Sequence, residues 1–247
     1  MSAYIEDLNI KLLLSDIRIG DYTHPGEEEA IELVSAQLNT TGNPVILDVA
    51  CGLGGTANKL SKLTNASTTG IDFDNECIAY AKNKYKNINF YHEDAHKLSH
   101  ILPENEFDII TIFSAFFTFE NQNLACKELA KVAKDGAQLA IFDYSSNIKN
   151  HKNPLDEERI KYFNPLNLQT IEDIITPWKL TEFIDLTNYF IEQYKVIVKN
   201  IEDKRDYLID KFSASAYTNI LNSFNSLLNS FDAGSAGGAM AFATLQK

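Results

Sequence analysis

Between Val45 and Tyr144 short β-rich runs alternate with helical patterns, and this alternation constrains the fold more than any other feature of the chain. Val45-Ile46-Leu47-Asp48-Val49 reads as a continuous apolar strand, closed by Ala50-Cys51-Gly52-Leu53-Gly54-Gly55 and followed by a helix over Thr56 to Leu63. The β-branched run Ser67 to Asp72 precedes a helix that Asn75 is expected to cap and that continues through Ala79, Ala81 and Lys84. Asn89 to His92 and Phe107 to Phe113 give the next two strands. Asn121 to Ala133 gives a helix, Asp135-Gly136 its end, and Ala137 to Tyr144 a fifth strand. Parallel neighbours need a connection long enough to bring the chain back to the same edge, so strands separated by helices imply a parallel sheet covered on both faces. The expected fold class is therefore α/β, with a doubly wound sheet. Ligands of such sheets lie at the carboxyl ends of the strands, near the reversal of strand order, which is where Asp48, Asp72, Asp94 and Phe113 fall.

After Tyr144 the pattern changes. Asn147, Lys149, Asn150, His151, Lys152 and Asn153 form a polar segment with the character of a loop or lid. Thr176-Pro177-Trp178 reads as an N-cap and an N1 proline opening a helix to about Ile191. Tyr194 to Ile201 reads as a sixth strand, Lys204 to Phe231 as a long helical stretch, and Ala239 to Leu245 as the last strand. The expected organisation is a single domain over 1–247, with a helical cover over 1–40 and cap insertions over 145–178 and 203–235.

Charge narrows the partners. With 34 acidic and 22 basic residues the chain carries a net charge of -12, a field that repels phosphate backbones and anionic lipid surfaces. No apolar run approaches the roughly 20 residues that span a bilayer. Glu6, Asp7 and Lys11 interrupt the N-terminal apolar residues, so no export signal is read there and a cytoplasmic location is expected. Cys51, Cys77 and Cys126 are odd in number and scattered, which suits free thiols and neither disulfides nor a metal site. A small-molecule substrate, no nucleic acid, no membrane and a monomer or homodimer are the expected partners.

The chemistry begins in the turn after the first strand. A Gly-x-Gly turn serves many folds, but this one lacks the third glycine of dinucleotide sites, since Ala57 follows Gly52 and Gly54, and its acidic residue, Asp48, precedes the turn. A pyrophosphate wants glycine amides at a helix start and no carboxylate nearby. An amino-acid ammonium wants a carboxylate and carbonyls. The stretch Asp48 to Gly55 resembles the first motif of the class I S-adenosylmethionine (SAM)-dependent methyltransferases, with Ala50 where glycine is commonest. The resemblance implies a Rossmann-like, seven-stranded, mostly parallel sheet with an antiparallel last strand. It also implies that Asp48, Ala50, Gly52 and Gly54 hold the methionine end of SAM.

Four further stretches extend the resemblance to Tyr144. Gly70-Ile71-Asp72-Phe73 matches the second motif, whose acid accepts from both ribose hydroxyls and whose next residue packs on adenine. Glu93-Asp94-Ala95 is similar to the third, which meets the adenine edge. Phe107 to Ser114 and Leu129 to Tyr144 fit the fourth and fifth. Tyr22-Thr23-His24-Pro25-Gly26 and the helical insertion resemble small-molecule enzymes that methylate phosphoethanolamine, sarcosine and dimethylglycine, sterols or quinones. The phosphobase members carry an Arg and a His after strand four, whereas Phe113-Ser114-Ala115-Phe116-Phe117-Thr118-Phe119 has neither. Phe113 then becomes the wall behind the sulfonium, Phe116, Phe117 and Tyr144 an apolar acceptor pocket, and Tyr22 a cover for SAM. His24 and Tyr144 are the candidate catalytic groups. The implied reaction is in-line methyl transfer from SAM, which becomes S-adenosylhomocysteine (SAH), to N or O of a small molecule. Two other readings are a SAM- or SAH-binding regulator and a dinucleotide-dependent oxidoreductase.

Overall fold

A computed structural model describes residues 8–18, 20–146 and 163–247; the polar segment from Asn147 to Asn153, with His151, lies outside them. The sheet has seven strands in the order β3-β2-β1-β4-β5-β7-β6. They are β1 (Val45–Val49), β2 (Ser67–Asp72), β3 (Asn89–His92), β4 (Phe107–Phe113), β5 (Ala133–Ser145), β6 (Trp178–Asp185) and β7 (Gly237–Leu245). All pairings are parallel except those of β7, which runs antiparallel to both β5 and β6. Chain order reverses between β1 and β4, so the switch point lies where Asp48 pairs in register with Thr111.

The helices of the alternating region are α3 (Gly55–Thr64), α4 (Asn75–Lys84) and α5 (Gln122–Val132), preceded by α1 (Leu8–Ile17) and α2 (Glu27–Ser35). Short α6 (Ile171–Ile174) leads into β6, and α7 (Thr187–Asp203), α8 (Arg205–Lys211) and α9 (Ala214–Asp232) fill the connection from β6 to β7. Apolar residues sort onto the two sheet faces. Ile46, Ile109, Ala140 and Phe142 face α1, α2, α7 and α9, whereas Leu47, Ile110, Leu139 and Ile141 face α5 and α6. This is the period-2 burial of a sheet covered on both sides.

Four expectations are corrected. Trp178 does not open a helix; it begins β6, the outer strand, where half-exposed alternation and a register shift at Leu180/Glu182 replace helical periodicity. Tyr194 to Ile201 is not a strand but lies in the second half of α7. Its β-branched residues suggest a strand, yet the buried positions Phe190, Tyr194, Ile197 and Ile201 recur at helical spacing. Asp135-Gly136 does not terminate a helix; α5 has already ended, and the pair lies inside β5 where the pairing with β4 shifts register between Phe107 and Ile109. The cap of α4 is Asp74, not Asn75: its Oδ1 accepts from the amides of Glu76 at 2.9 Å and Cys77 at 3.2 Å.

The connection between β6 and β7 is a helical layer rather than a loop. The buried residues of α9, Ile220, Phe224, Leu227 and Phe231, repeat the spacing of those in α7, and the two stripes close on one another over Tyr144, the last aromatic residue of β5. All three cysteines are buried and free. Among the described residues no helix is long and apolar enough to cross a membrane.

Candidate active site

The turn after β1 is built from backbone conformations that few side chains tolerate. Ala50, Gly52 and Gly54 have φ of 58°, 51° and 86°, the left-handed region that glycine enters freely and alanine only at a cost. A Cβ at Gly54 would stand 2.8 Å from the Phe90 ring and 3.0 Å from Ala81. Gly54→Ala is therefore expected to cost about 2–4 kcal/mol, the sum of the backbone penalty and overpacking, read as a lower urea midpoint. An unchanged midpoint would show that the turn has room to rearrange.

The segment after α1 lies directly on this turn. A Cβ at Gly55 would be 2.4 Å from the Asp21 carbonyl oxygen, and a Cβ at Gly52 would meet Thr23 Oγ1 at 3.9 Å. Asp21 is buried and accepts from the hydroxyls of Ser15, Tyr80 and Tyr85, so α1, the segment and α4 meet at one carboxylate.

Asp48 is fully buried. One oxygen accepts from Thr111 Oγ1 at 3.1 Å and the other, Oδ2, has no partner. Burial pushes its pKa up to about 7, against the Thr111 hydrogen bond and with help from the charge of Asp72. Asp72 is 3% exposed; its Oδ2 accepts from the Gly52 amide at 2.8 Å and its Oδ1 from the Asp74 amide at 2.9 Å. A carboxylate has about four lone-pair positions, so each oxygen can accept one more donor. Lys11 of α1 points at this group, its Nζ 3.6 Å from both Asp72 and Asp74. Burial works against the Lys11 charge, but Asp72 and its neighbours outweigh it and hold the pKa above the usual lysine value.

Phe73 follows Asp72 with its ring half exposed, and its carbonyl is 2.8 Å from His92 Nε2. Asp94 sits past β3, with Oδ1 bonded to the amide and the Nδ1 of His96; burial raises its pKa, but the His96 hydrogen bonds prevail and keep it below the ordinary value. Ala95 is buried beside it.

On the other side of the switch point, Phe113 packs 4.8 Å from the His24 ring and 5.7 Å from Phe142. His24 is fully enclosed, with Nδ1 3.2 Å from the Pro25 carbonyl and Nε2 3.1 Å from Thr56 Oγ1. A carbonyl only accepts, so Nδ1 carries the proton and Nε2 accepts from Thr56. Burial drives the pKa of His24 down to about 3. It is a neutral wall residue with both nitrogens engaged, which leaves it no free lone pair to take a proton.

Tyr144 is likewise buried, its hydroxyl bonded to that of Tyr194 and its pKa held far above the usual tyrosine value by burial and by Tyr194. Tyr22 gives its hydroxyl to Glu28 at 3.1 Å and packs its ring 5.7 Å from His24. Phe116 and Phe117 occupy different places: Phe116 belongs to the core under α5, whereas Phe117 meets Tyr144 edge-on at 4.8 Å. Their loop is clamped by buried Asp143, which accepts from the amides of Phe117 and Tyr144.

Residues 46–136 match a methyltransferase-domain family model. Over this stretch the chain is similar to class I SAM-dependent methyltransferases. The demethylmenaquinone methyltransferase of Chlorobaculum parvum is 33% identical over 107 residues, 43% of this chain and 44% of that enzyme; the chain thus spans less than half the length of this curated relative. Phosphoethanolamine N-methyltransferase 2 of Haemonchus contortus, solved with phosphomonomethylethanolamine and SAH, superposes with a TM-score of 0.84 at 18% identity, covering 97% of this chain and 58% of that one. A cyclopropane synthase of Mycobacterium tuberculosis superposes at 0.83 and 12% identity, covering 98% and 96%. These structures share the seven-stranded methyltransferase fold.

Lys11, Arg18, Asp143 and Tyr194 escape the sequence reading. Lys11 and Arg18 are seven residues apart, two turns along α1 and its end, and share its buried side. Two cations on an apolar face were the available signal.

Proposed function

We propose that the chain is a SAM-dependent methyltransferase that moves a methyl group to nitrogen or oxygen of a small-molecule acceptor. The observation that carries this reading is the buried Asp48 carboxylate with one oxygen unpartnered, beside a turn that brings bare backbone to the strand ends. Such a slot suits an ammonium and repels a pyrophosphate. Asp48 and Ala50 to Gly54 would hold the methionine end, Asp72 the ribose hydroxyls, Phe73 one face of the adenine, and Asp94 with the Ala95 amide its edge. Phe113 would form the wall by the sulfonium and Tyr22 part of the cover.

When bound, SAM supplies a methyl group made electrophilic by its sulfonium. The residues of this chain position and desolvate. His24, kept neutral, places no repelling charge behind Phe113. Phe113, Phe117 and Phe142 exclude water from the carboxyl ends of β4 and β5. Tyr144 keeps its proton at neutral pH, so an acceptor must bring its own lone pair, as an amine or an acidic phenol does.

Asp48 supplies a pH test. A carboxyl whose folded pKa lies near 7 holds a proton that the unfolded chain releases from about pH 4 upward, so its contribution to the ligand-free fold falls as pH rises from about 4 to about 7 and is level above that. An ammonium reverses the preference by favouring the ionised form. SAM affinity is then expected to rise about tenfold from about pH 6 to about pH 8, with one proton released on binding. Calorimetry in two buffers of different ionisation enthalpy measures this, and Asp48→Asn should flatten it. A wild-type affinity independent of pH would remove Asp48 from the site.

A further inference from the structure

We propose that Arg18 anchors an acceptor site for a carboxylate carried on an apolar body. This deepens the methyltransferase reading and rests on it for the role of the bound molecule, but the site itself stands on separate observations. Arg18 follows α1 with only 1% of its side chain exposed, and two of its three guanidinium nitrogens, Nε and Nη1, are buried without a hydrogen-bond partner. Buried donors are almost always satisfied, and a buried charge is costly unless it is paired. Among the described residues the nearest carboxylate, Glu27, is 3.8 Å from Nε, beyond hydrogen-bond reach. Burial raises the pKa of Glu27 in spite of Arg18, which weakens it further as a counter-ion.

The surroundings define the occupant. Arg18 lies beside the Tyr194 hydroxyl, which is bonded to that of Tyr144, and the guanidinium carbon stands 6.0 Å from the centre of the Phe224 ring. Tyr144 in turn contacts Phe117 and Phe190. From Phe190 the aromatic layer continues through Phe142 to Phe113. A molecule with its anion at Arg18 would run its apolar part along this layer toward the carboxyl ends of β4 and β5, where the methyl donor is proposed to sit. The charge count selects a monoanion. One guanidinium, with Glu27 pushed by burial toward its neutral form, can neutralise one carboxylate, whereas a phosphate dianion would leave uncompensated negative charge in a dry site.

Equilibrium binding to the full chain tests this, with benzoate, phenylacetate and octanoate each compared with its neutral amide in the presence of saturating SAH. At least one carboxylate is expected to bind about tenfold or more tightly than its amide, the scale of one charged hydrogen-bonded contact. Arg18→Met should bring that pair within about twofold while SAH affinity, measured separately, stays within about twofold of wild type. Tyr194→Phe, which keeps the ring and removes a hydroxyl beside the guanidinium, should weaken the carboxylate and spare the amide. The wild-type comparison needs no variant to fold. SAH binding with no carboxylate preference in any pair, or a preference that survives Arg18→Met, overturns the Arg18 site. A carboxylate preference lost on Arg18→Met in a protein that binds no SAH supports the site and sinks the methyltransferase reading instead.

Discussion

Asp72→Ala is expected to weaken SAM binding by at least about a hundredfold. The substitution would remove an acceptor proposed for two ribose hydroxyls, and charge-assisted hydrogen bonds contribute about 1.5–3 kcal/mol each, so the pair corresponds to about two to four decades in affinity. The ligand-free protein should suffer too. The Gly52 amide loses its acceptor at 2.8 Å and buried Lys11 loses one of its two carboxylates, so the unfolding temperature should fall. Asp72→Asn separates the effects, because a side-chain oxygen remains for the Gly52 amide while the charge is gone. Radiolabelled SAM binding together with thermal unfolding gives both readouts. Wild-type affinity in the alanine variant, with the fold intact, would place the cofactor elsewhere.

Phe190→Ala is the largest stability change expected in the helical layer between β6 and β7. Phe190 is fully buried where α7 crosses β7, so close to the backbone that a Cβ at Gly238 would fall 2.1 Å from its ring. It contacts Phe142 at 5.0 Å and Tyr144 at 5.9 Å, both in β5, and Phe231 of α9 at 6.3 Å. Emptying such a site costs about 3–5 kcal/mol through lost burial and the cavity left behind. At this chain length each kcal/mol lowers the unfolding temperature by about 2–4 °C. Urea denaturation should show a lower midpoint with an unchanged slope. A midpoint equal to wild type would mean that the insertion does not lean on the sheet.

What the residues disclose in advance follows from how local their causes are. From β1 to β4 each strand is a short run bounded by a turn, buried along most of its length or, in β3, at Phe90 alone, and that pattern sits in the run itself. The second half lacks that property. Val196, Ile197 and Val198 invite a strand because they are β-branched, and only the spacing of Phe190, Tyr194 and Ile201 on either side shows the helix. Trp178 follows a proline that reads as a helix start, yet its indole donates to the Cys126 carbonyl at 2.9 Å, a contact no local pattern contains. In the candidate site the same division holds. Asp48 and Asp72 end strands, and their positions follow from the motif spacing. Lys11 and Arg18 matter because α1 lays them against residues far along the chain, Asp72 and Tyr194. The burial that neutralises His24 and protonates Tyr144 is likewise a property of the assembled aromatic layer rather than of either neighbourhood.

The segment from Asp21 to Gly26 touches the glycine turn at one end, and at the other Gly26 leaves room for the Tyr189 hydroxyl of α7, which would stand 2.0 Å from any Cβ placed there. The same few residues thus pack at once against the turn proposed to hold the donor and against the first helix of the β6–β7 connection. Substitutions in α9 can be absorbed without disturbing the turn, but those in this segment carry a double penalty. Side chains added at Gly26 or Gly55 would therefore strain the contacts of this short stretch with both neighbours at once.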